Sequence, residues 1–355
     1  MMKMKFVAVA ISSLMGISSI HAAEMINKDG NKVDINGKVD VARFFSANDN
    51  QHGDDSYARL GFKGETQISD QLTGYGMFEH EFKLNNPEDD SAQKGNKTRL
   101  GFAGFKFGDY GSLDYGRNFG LIYDALAYTD VLPKFGGDSA HNDVFLSSRA
   151  GGVATWRTSN LMGMVDGLQV AVQYQGKNER ATGDSIGRAN GEGYATSVGW
   201  NSDSGVSLVA AYASVDRTLA QNHAGRGKGD RAELWSTAVK YDMNQFYLAA
   251  MYGETRNATP ISGGFANKAQ NLEAVAQYQF LNGLRPSLAY VASRAKDIED
   301  IGSADLHKYT SFGAKYFMNL NMVAYVEHRI NLLKDNNPLG LPNDDITAIG
   351  LTYQF

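Results

Sequence analysis

From end to end the chain alternates apolar and polar residues one by one, and that period of two limits the folds open to it. Over 57–68, Ala58, Leu60, Phe62 and Ile68 alternate with Arg59, Lys63, Glu65 and Gln67. Leu168, Val170, Val172 and Tyr174 alternate in the same way with Gln169, Gln173 and Gln175, as do Leu272, Ala274, Ala276, Tyr278 and Phe280 with Glu273, Gln277 and Gln279. Successive side chains of a strand point to opposite faces, so each segment makes a strand with one oily and one charged face. Beyond the first 22 residues no apolar stretch approaches the ~18 residues that a spanning helix needs. A closed barrel can still cross a membrane, because every backbone N–H and C=O then pairs with a neighbouring strand and no polar edge meets lipid. Its faces are inverted relative to a soluble sandwich, with apolar residues toward lipid and polar ones toward a wet lumen.

The start of the chain agrees with export. Lys3 and Lys5 precede an apolar run over 6–20 that ends in small residues at Ala22 and Ala23, the layout of a secretory signal peptide. Cleavage after Ala22 is expected to remove 1–22 and leave 23–355 as one barrel domain. It takes two of the 34 basic residues and none of the 39 acidic ones, moving the formal charge from -5 to -7. That balance argues against nucleic acid as a partner. The chain has 39 Gly, 18 Tyr and 18 Phe against 6 Pro, which suits aromatic strands joined by Gly, Asn and Asp turns. It has no Cys, so backbone pairing and packing must hold the fold without disulfides.

Short and long connections alternate along the chain. Turn signals stand at 69–71, 108–111, 159–166, 201–205, 242–245, 281–283 and 318–321. Between them lie polar segments at 46–56, 85–96, 118–148, 176–192, 216–230, 255–269, 293–306 and 332–345. Seven short and eight long connections imply an all-β, sixteen-stranded antiparallel transmembrane β-barrel with both termini on the short-turn, periplasmic rim. In the last strand Ile349, Leu351, Tyr353 and Phe355 alternate with smaller or polar residues up to the terminus. Exposed, such a strand invites aggregation, whereas in a barrel it pairs with the first strand, near 33–41.

Several strings resemble one family. AEMINKDGNKVDINGK at 23–38, ARLGFKGETQI at 58–68, GNKTRLGFAG at 95–104, DYGRNFG at 114–120 and GGVATWR at 151–157 look like the general porins of the enterobacterial outer membrane, the OmpC/OmpF type. GKNER at 176–180, YGETRNATPI at 252–261 and the closing YQF do the same. The resemblance covers essentially all of 23–355. It implies a homotrimer in outer-membrane lipid and lipopolysaccharide, with the third long loop folded into the lumen, and passive passage of ions and small hydrophilic solutes without any cofactor. Tyr353 and Phe355 resemble the terminal aromatic signal that the outer-membrane assembly machinery reads.

The third loop, 118–148, holds Leu121, Tyr123, Leu126, Tyr128, Leu132 and Phe135, and a loop this apolar needs something to pack against. Folding inward brings Asp130, Lys134 and Asp138 into the aqueous path. Facing them, the alternation puts Lys38, Arg59, Arg99 and Arg149 on the wall, where the family carries its basic cluster. A departure stands at 133–138, which reads PKFGGD where the family usually reads PEFGGD. With Lys134 in place of an acid, the expectation is weaker cation preference than the family norm, or outright anion preference; the bland alternative is that Lys134 pairs locally with Asp130 or Asp138. The resemblance also suggests Glu88 and Arg117 as a latch between subunits, against the reading of two solvated charges.

Other signals carry less. The stretch 29–34 resembles part of a calcium loop but lacks the closing glutamate, so it reads as a turn. GRGKG at 225–229 has no strand-to-helix step around it, which argues against a phosphate cradle. Outside the leader the six histidines are scattered, and no metal site is expected. The rivals are an outer-membrane lipase, for which outward-facing His328 lacks an evident partner serine; a plugged barrel serving as a surface receptor or adhesin; and a solute-specific channel.

Overall fold

Turn chemistry sets where the chain reverses. Asp29 (φ 53°) and Gly30 (φ 76°), like Asn244 (φ 53°) and Gln245 (φ 69°), are consecutive residues with positive φ, the pairing whose twist matches that of the flanking strands in a tight hairpin. The string at 29–34 is thus a turn and the start of a strand. The computed structural model describes residues 23–179 and 186–355, and the proposed leader over 1–22 lies outside the described residues.

Sixteen long strands make the barrel. The first eight are β1 (Asn31–Ser46), β2 (Tyr57–Ser69), β3 (Leu72–Lys83), β4 (Lys97–Phe107), β5 (Ser112–Phe119), β6 (Arg149–Thr158), β7 (Leu168–Gln175) and β8 (Gly193–Asn201). The others are β9 (Val206–Asp216), β10 (Arg231–Met243), β11 (Phe246–Arg256), β12 (Lys268–Tyr278), β13 (Leu284–Ile298), β14 (Gly302–Phe317), β15 (Met322–Asn331) and β16 (Ile346–Gln354). Each pairs antiparallel with the next, and β16 pairs with β1, so the ladder closes without a free edge. The seven short reversals fall where the turn signals stand.

The sides of the strands are as the alternation requires. Leu60, Phe62, Val172, Tyr174, Leu272 and Ile349 project outward and are exposed, whereas Glu81, Gln175 and Glu273 point inward and are buried. Two expectations need correction. β16 pairs with the first strand as expected, but over Lys38–Ser46 rather than the whole of 33–41, because the upstream part of β1 is taken by the strand Ala23–Lys28, which lies in line with β16. The connection expected over 293–306 is mostly strand: β13 runs to Ile298 and β14 starts at Gly302, with bulges near Ser293 and Ala295. In these strand ends one face carries Arg294, Lys296 and Asp305 while the other buries Ala295, Ile298, Ala304 and Leu306, so the charged face reads as loop.

At the seam Gly37 and Phe355 exchange backbone hydrogen bonds, each 3.0 Å. A Cβ on Gly37 would lie 2.6 Å from the Arg59 carbonyl oxygen and 2.8 Å from the Phe355 ring. Overpacking costs ~1–3 kcal/mol, so Gly37→Val is expected to lower the yield of barrel that resists SDS without heating. Gly187→Val, with nothing within 4 Å of its Cβ, is the control and keeps the native yield.

Candidate functional site

The third loop continues the sheet for two residues before it turns inward. Gly120 N–H donates to Ser148 O (2.7 Å) and Ile122 N–H to Leu146 O (3.2 Å). A Cβ on Gly120 would sit 2.1 Å from the Leu146 carbonyl oxygen, so this approach requires glycine. One helical turn, α1 (Tyr123–Leu126), follows. Leu121, Ile122, Leu126, Phe145 and Leu146 are fully buried in a cluster with Ala171, Ala195, Ala213, Val215 and Ala232 of the inner wall. Each large side chain contributes roughly 1.5–3 kcal/mol by burial, and the small wall residues leave the room that the loop fills. The apolar core of this protein therefore lies inside the barrel.

Polar groups fasten the rest of the loop. The Glu273 carboxyl, on β12, accepts from Thr129 Oγ1 (2.6 Å), Ser139 Oγ (2.5 Å), Ser139 N (2.9 Å) and Gly137 N (3.1 Å). Glu327 Oε2, on β15, accepts from Lys134 N at 2.7 Å. Lys315 Nζ donates to Val131 O (2.9 Å), Tyr247 OH to Tyr128 O (2.7 Å), and Gly136 N to Tyr309 OH (2.8 Å). Arg157 holds Asp124 through two 2.9 Å hydrogen bonds. Burial pushes the loop's His141 below the ordinary imidazole range despite nearby Asp130 and Asp138. Burial and Asp130 push the Tyr123 phenol up, so it stays a donor, at 2.6 Å from Asp130 Oδ2.

On the opposite wall the expected basic residues come together. Lys38 Nζ lies 5.1 Å and the Arg59 guanidinium 4.9 Å from the centre of the Tyr57 ring. Arg59 Nε donates to Glu81 Oε2 at 2.8 Å, and Arg99 pairs with Glu79 at 2.5 Å and Glu81 at 3.4 Å. Arg149 lies 4.8 Å over the Phe119 ring. Glu79, Glu81 and Tyr57 were missed from sequence, although the two glutamates share the inward face of β3 two residues apart.

Of the three charged residues expected on the loop, only the acids stay on its own side. Asp130 accepts from Tyr123, and Asp138 Oδ2 accepts from Tyr309 OH at 2.5 Å. Lys134 pairs with neither of them. Its Nζ reaches Asp55 Oδ2 at 2.9 Å and Asp40 Oδ1 at 3.8 Å, with the side chain 5% exposed, and lies 5.0 Å from the Tyr57 ring centre. The tip of the loop thus delivers Lys134 to the side of Lys38 and Arg59. Glu88 and Arg117 do not meet within the chain: Glu88 is exposed in the second loop, and Arg117 donates to Asp143 Oδ2 (2.9 Å) and Thr98 O (3.0 Å). Gly227 N, in the GRGKG string, donates to Glu299, so an acid stands where a phosphate cradle needs an anion. Outward-facing His328 has Thr347 Oγ1 at 2.9 Å and the Phe312 ring at 5.2 Å as its neighbours.

A lumen closed by sixteen strands and narrowed by an inward third loop has a clear counterpart among known families. The Gram-negative porin family matches residues 28–355. The chain belongs to that family. It is 52% identical to outer membrane porin F of Escherichia coli strain K12 and 54% identical to outer membrane porin PhoE of Enterobacter cloacae, in both cases over 100% of each chain. The solved Salmonella typhi OmpF complex with daunomycin superposes with a TM-score of 0.86 at 43% identity, covering 94% of this chain and 100% of that one. This porin is an outer-membrane protein whose water-filled channel serves general diffusion of small hydrophilic solutes.

Proposed function

We propose that solutes cross this porin through the gap between the third loop and the facing wall, with Lys38, Arg59 and Arg99 of β1–β4 and Arg149 of β6 on one side and Asp130 and Asp138 on the other. One observation carries the reading: the loop is fastened inside the lumen by its own apolar core and by Glu273, and its tip meets the facing wall through Lys134 beside Tyr57. Opposite charges across a narrow wet gap set up a transverse field, focused by low-dielectric walls and least screened within ~8 Å at physiological salt. Small polar solutes orient in it, whereas apolar ones meet ordered water with no compensating contact. Lys134 offsets one of the two charges of Asp40 and Asp55, and with a cation where the family carries an acid the porin is weakly cation-selective at most.

The same reading assigns 1–22 to a cleaved leader and Tyr353 with Phe355 to recognition by the assembly machinery. The working unit is a homotrimer among outer-membrane lipid and lipopolysaccharide, in which exposed Glu88 reaches Arg117 of the neighbouring subunit. Single-channel recording in a planar bilayer under a potassium chloride gradient tests this. The expected record shows three equal conductance steps per insertion and a small reversal potential. A plugged receptor barrel gives no steady current, and a strongly cation-selective potential refutes the role given to Lys134.

A further inference from the structure

Beside the long-loop end of the constriction, a cavity of about 380 Å³ opens between the first loop, the tip of the third loop and the end of β15. Its charged lining comprises Asp54, Asp55, Asp138, His52, Lys134 and Arg329. Five of these six already have partners. Asp55 holds Lys134, Asp54 Oδ1 accepts from Ser56 N (2.9 Å) and Ser56 Oγ (2.5 Å), Asp138 accepts from Tyr309, and His52 Nδ1 lies 3.2–3.3 Å from the Ser46 backbone.

Arg329 is different. Its guanidinium lies 5.4 Å from the Phe135 ring centre and 5.3 Å from that of Tyr309. Its Nε is buried without an acceptor, and the side chain forms no hydrogen bond or ion pair among the described residues. A buried N–H left unpaired is costly, and native structures rarely keep one without a ligand or ordered water to take it. Aromatic rings stabilise the cation but leave the donors at its edge unused. The terminal guanidinium nitrogens are not buried in this way, and two adjacent N–H groups on them match two oxygens of a carboxylate or a phosphate.

We infer that Arg329 forms an oxyanion subsite, which holds the carboxylate or phosphate group of a solute as it enters the constriction. Phe135 and Tyr309 fix the plane of the fork, and the acids nearby are engaged by their own donors and do not compete for it. The inference rests on the lumen being the solute path and adds a binding step to a route otherwise without one.

The test uses the native trimer in a planar bilayer carrying potassium chloride current, with sodium acetate or inorganic phosphate added on the long-loop side. Saturable reduction of the current by either probe is expected; acetate alone marks a carboxylate site and phosphate alone a phosphate site. In both Arg329→Lys and Arg329→Gln the half-saturating concentration is expected to rise about tenfold, the size of one lost charge-assisted pair. Arg329→Lys keeps the charge and therefore the native reversal potential, and its near-native volume keeps the test available if Arg329→Gln fails to fold. Saturation unchanged in Arg329→Lys means that charge alone matters, and overturns the subsite. No saturation in the native trimer overturns it too. Absence of any potassium chloride current would instead sink the pore reading.

Discussion

Glu273→Ala is expected to give a wider, noisier channel in a barrel that still folds. Four donors of the third loop converge on this one carboxyl, two from backbone and two from hydroxyl groups, and the side chain is only 1% exposed. Each hydrogen bond contributes ~0.5–1.5 kcal/mol, and removing the acceptor leaves each buried donor unsatisfied at ~1–3 kcal/mol. Four such bonds to one group are not additive, but a loss of roughly 3 kcal/mol or more of tethering is the conservative figure. The sixteen-strand ladder does not pass through these bonds, and neither does the apolar root around Leu121 and Phe145. The segment from Thr129 to Ser139 therefore loosens while the barrel persists. Single-channel recording should show higher mean conductance with frequent partial closures, and unheated SDS mobility should stay native. Glu273→Gln keeps the volume and one carbonyl oxygen, and the hydroxyls of Thr129 and Ser139 can rotate to accept from its amide. The backbone N–H groups of Gly137 and Ser139 cannot, so an intermediate phenotype is expected. Native conductance and noise in Glu273→Ala would show that the apolar root alone holds the loop.

The features readable in the sequence were those that follow from local periodicity and backbone chemistry. Alternation over Ala58–Ile68 named the outward and inward faces of β2 correctly, and the turn residues placed the seven reversals on the short-turn rim. The composition of the third loop announced that it is buried, because Leu121, Leu126 and Phe135 have no place in water. The connection over 293–306 misled because Arg294, Lys296 and Asp305 make one face of these strands polar while the other face buries Ala295, Ile298, Ala304 and Leu306, the reverse of the pattern within the membrane. Long-range pairing was beyond reach for a different reason. Lys134 and Asp55 are 79 positions apart, and Thr129 and Glu273 are 144 apart. No periodicity specifies which inward side chain of a distant strand a loop tip will meet. Arg329 was invisible for the same reason, since its environment is made by Phe135 from the loop and Tyr309 from β14.

Lys134→Glu is expected to shift the reversal potential strongly toward cation preference and to displace the loop tip. In the native porin the ammonium lies 2.9 Å from Asp55 and 3.8 Å from Asp40, over the rings of Phe44 and Tyr57. An acid in its place faces two acids. Like charges ~4 Å apart repel by ~4 kcal/mol at an effective dielectric constant of 20, and the aromatic faces that favour a cation now disfavour the side chain. The tip cannot keep that position, although the backbone bond from residue 134 to Glu327 resists its leaving. Lys134→Gln separates the two effects. It removes one charge without the repulsion, so the loop stays and the potential moves about half as far, with conductance near native. If the tip instead swings away in both variants, conductance changes in both, and the Asp55 pair is what seats the loop. A reversal potential that Lys134→Glu leaves unchanged places this residue outside the field that ions cross, and the selectivity argument built on it fails.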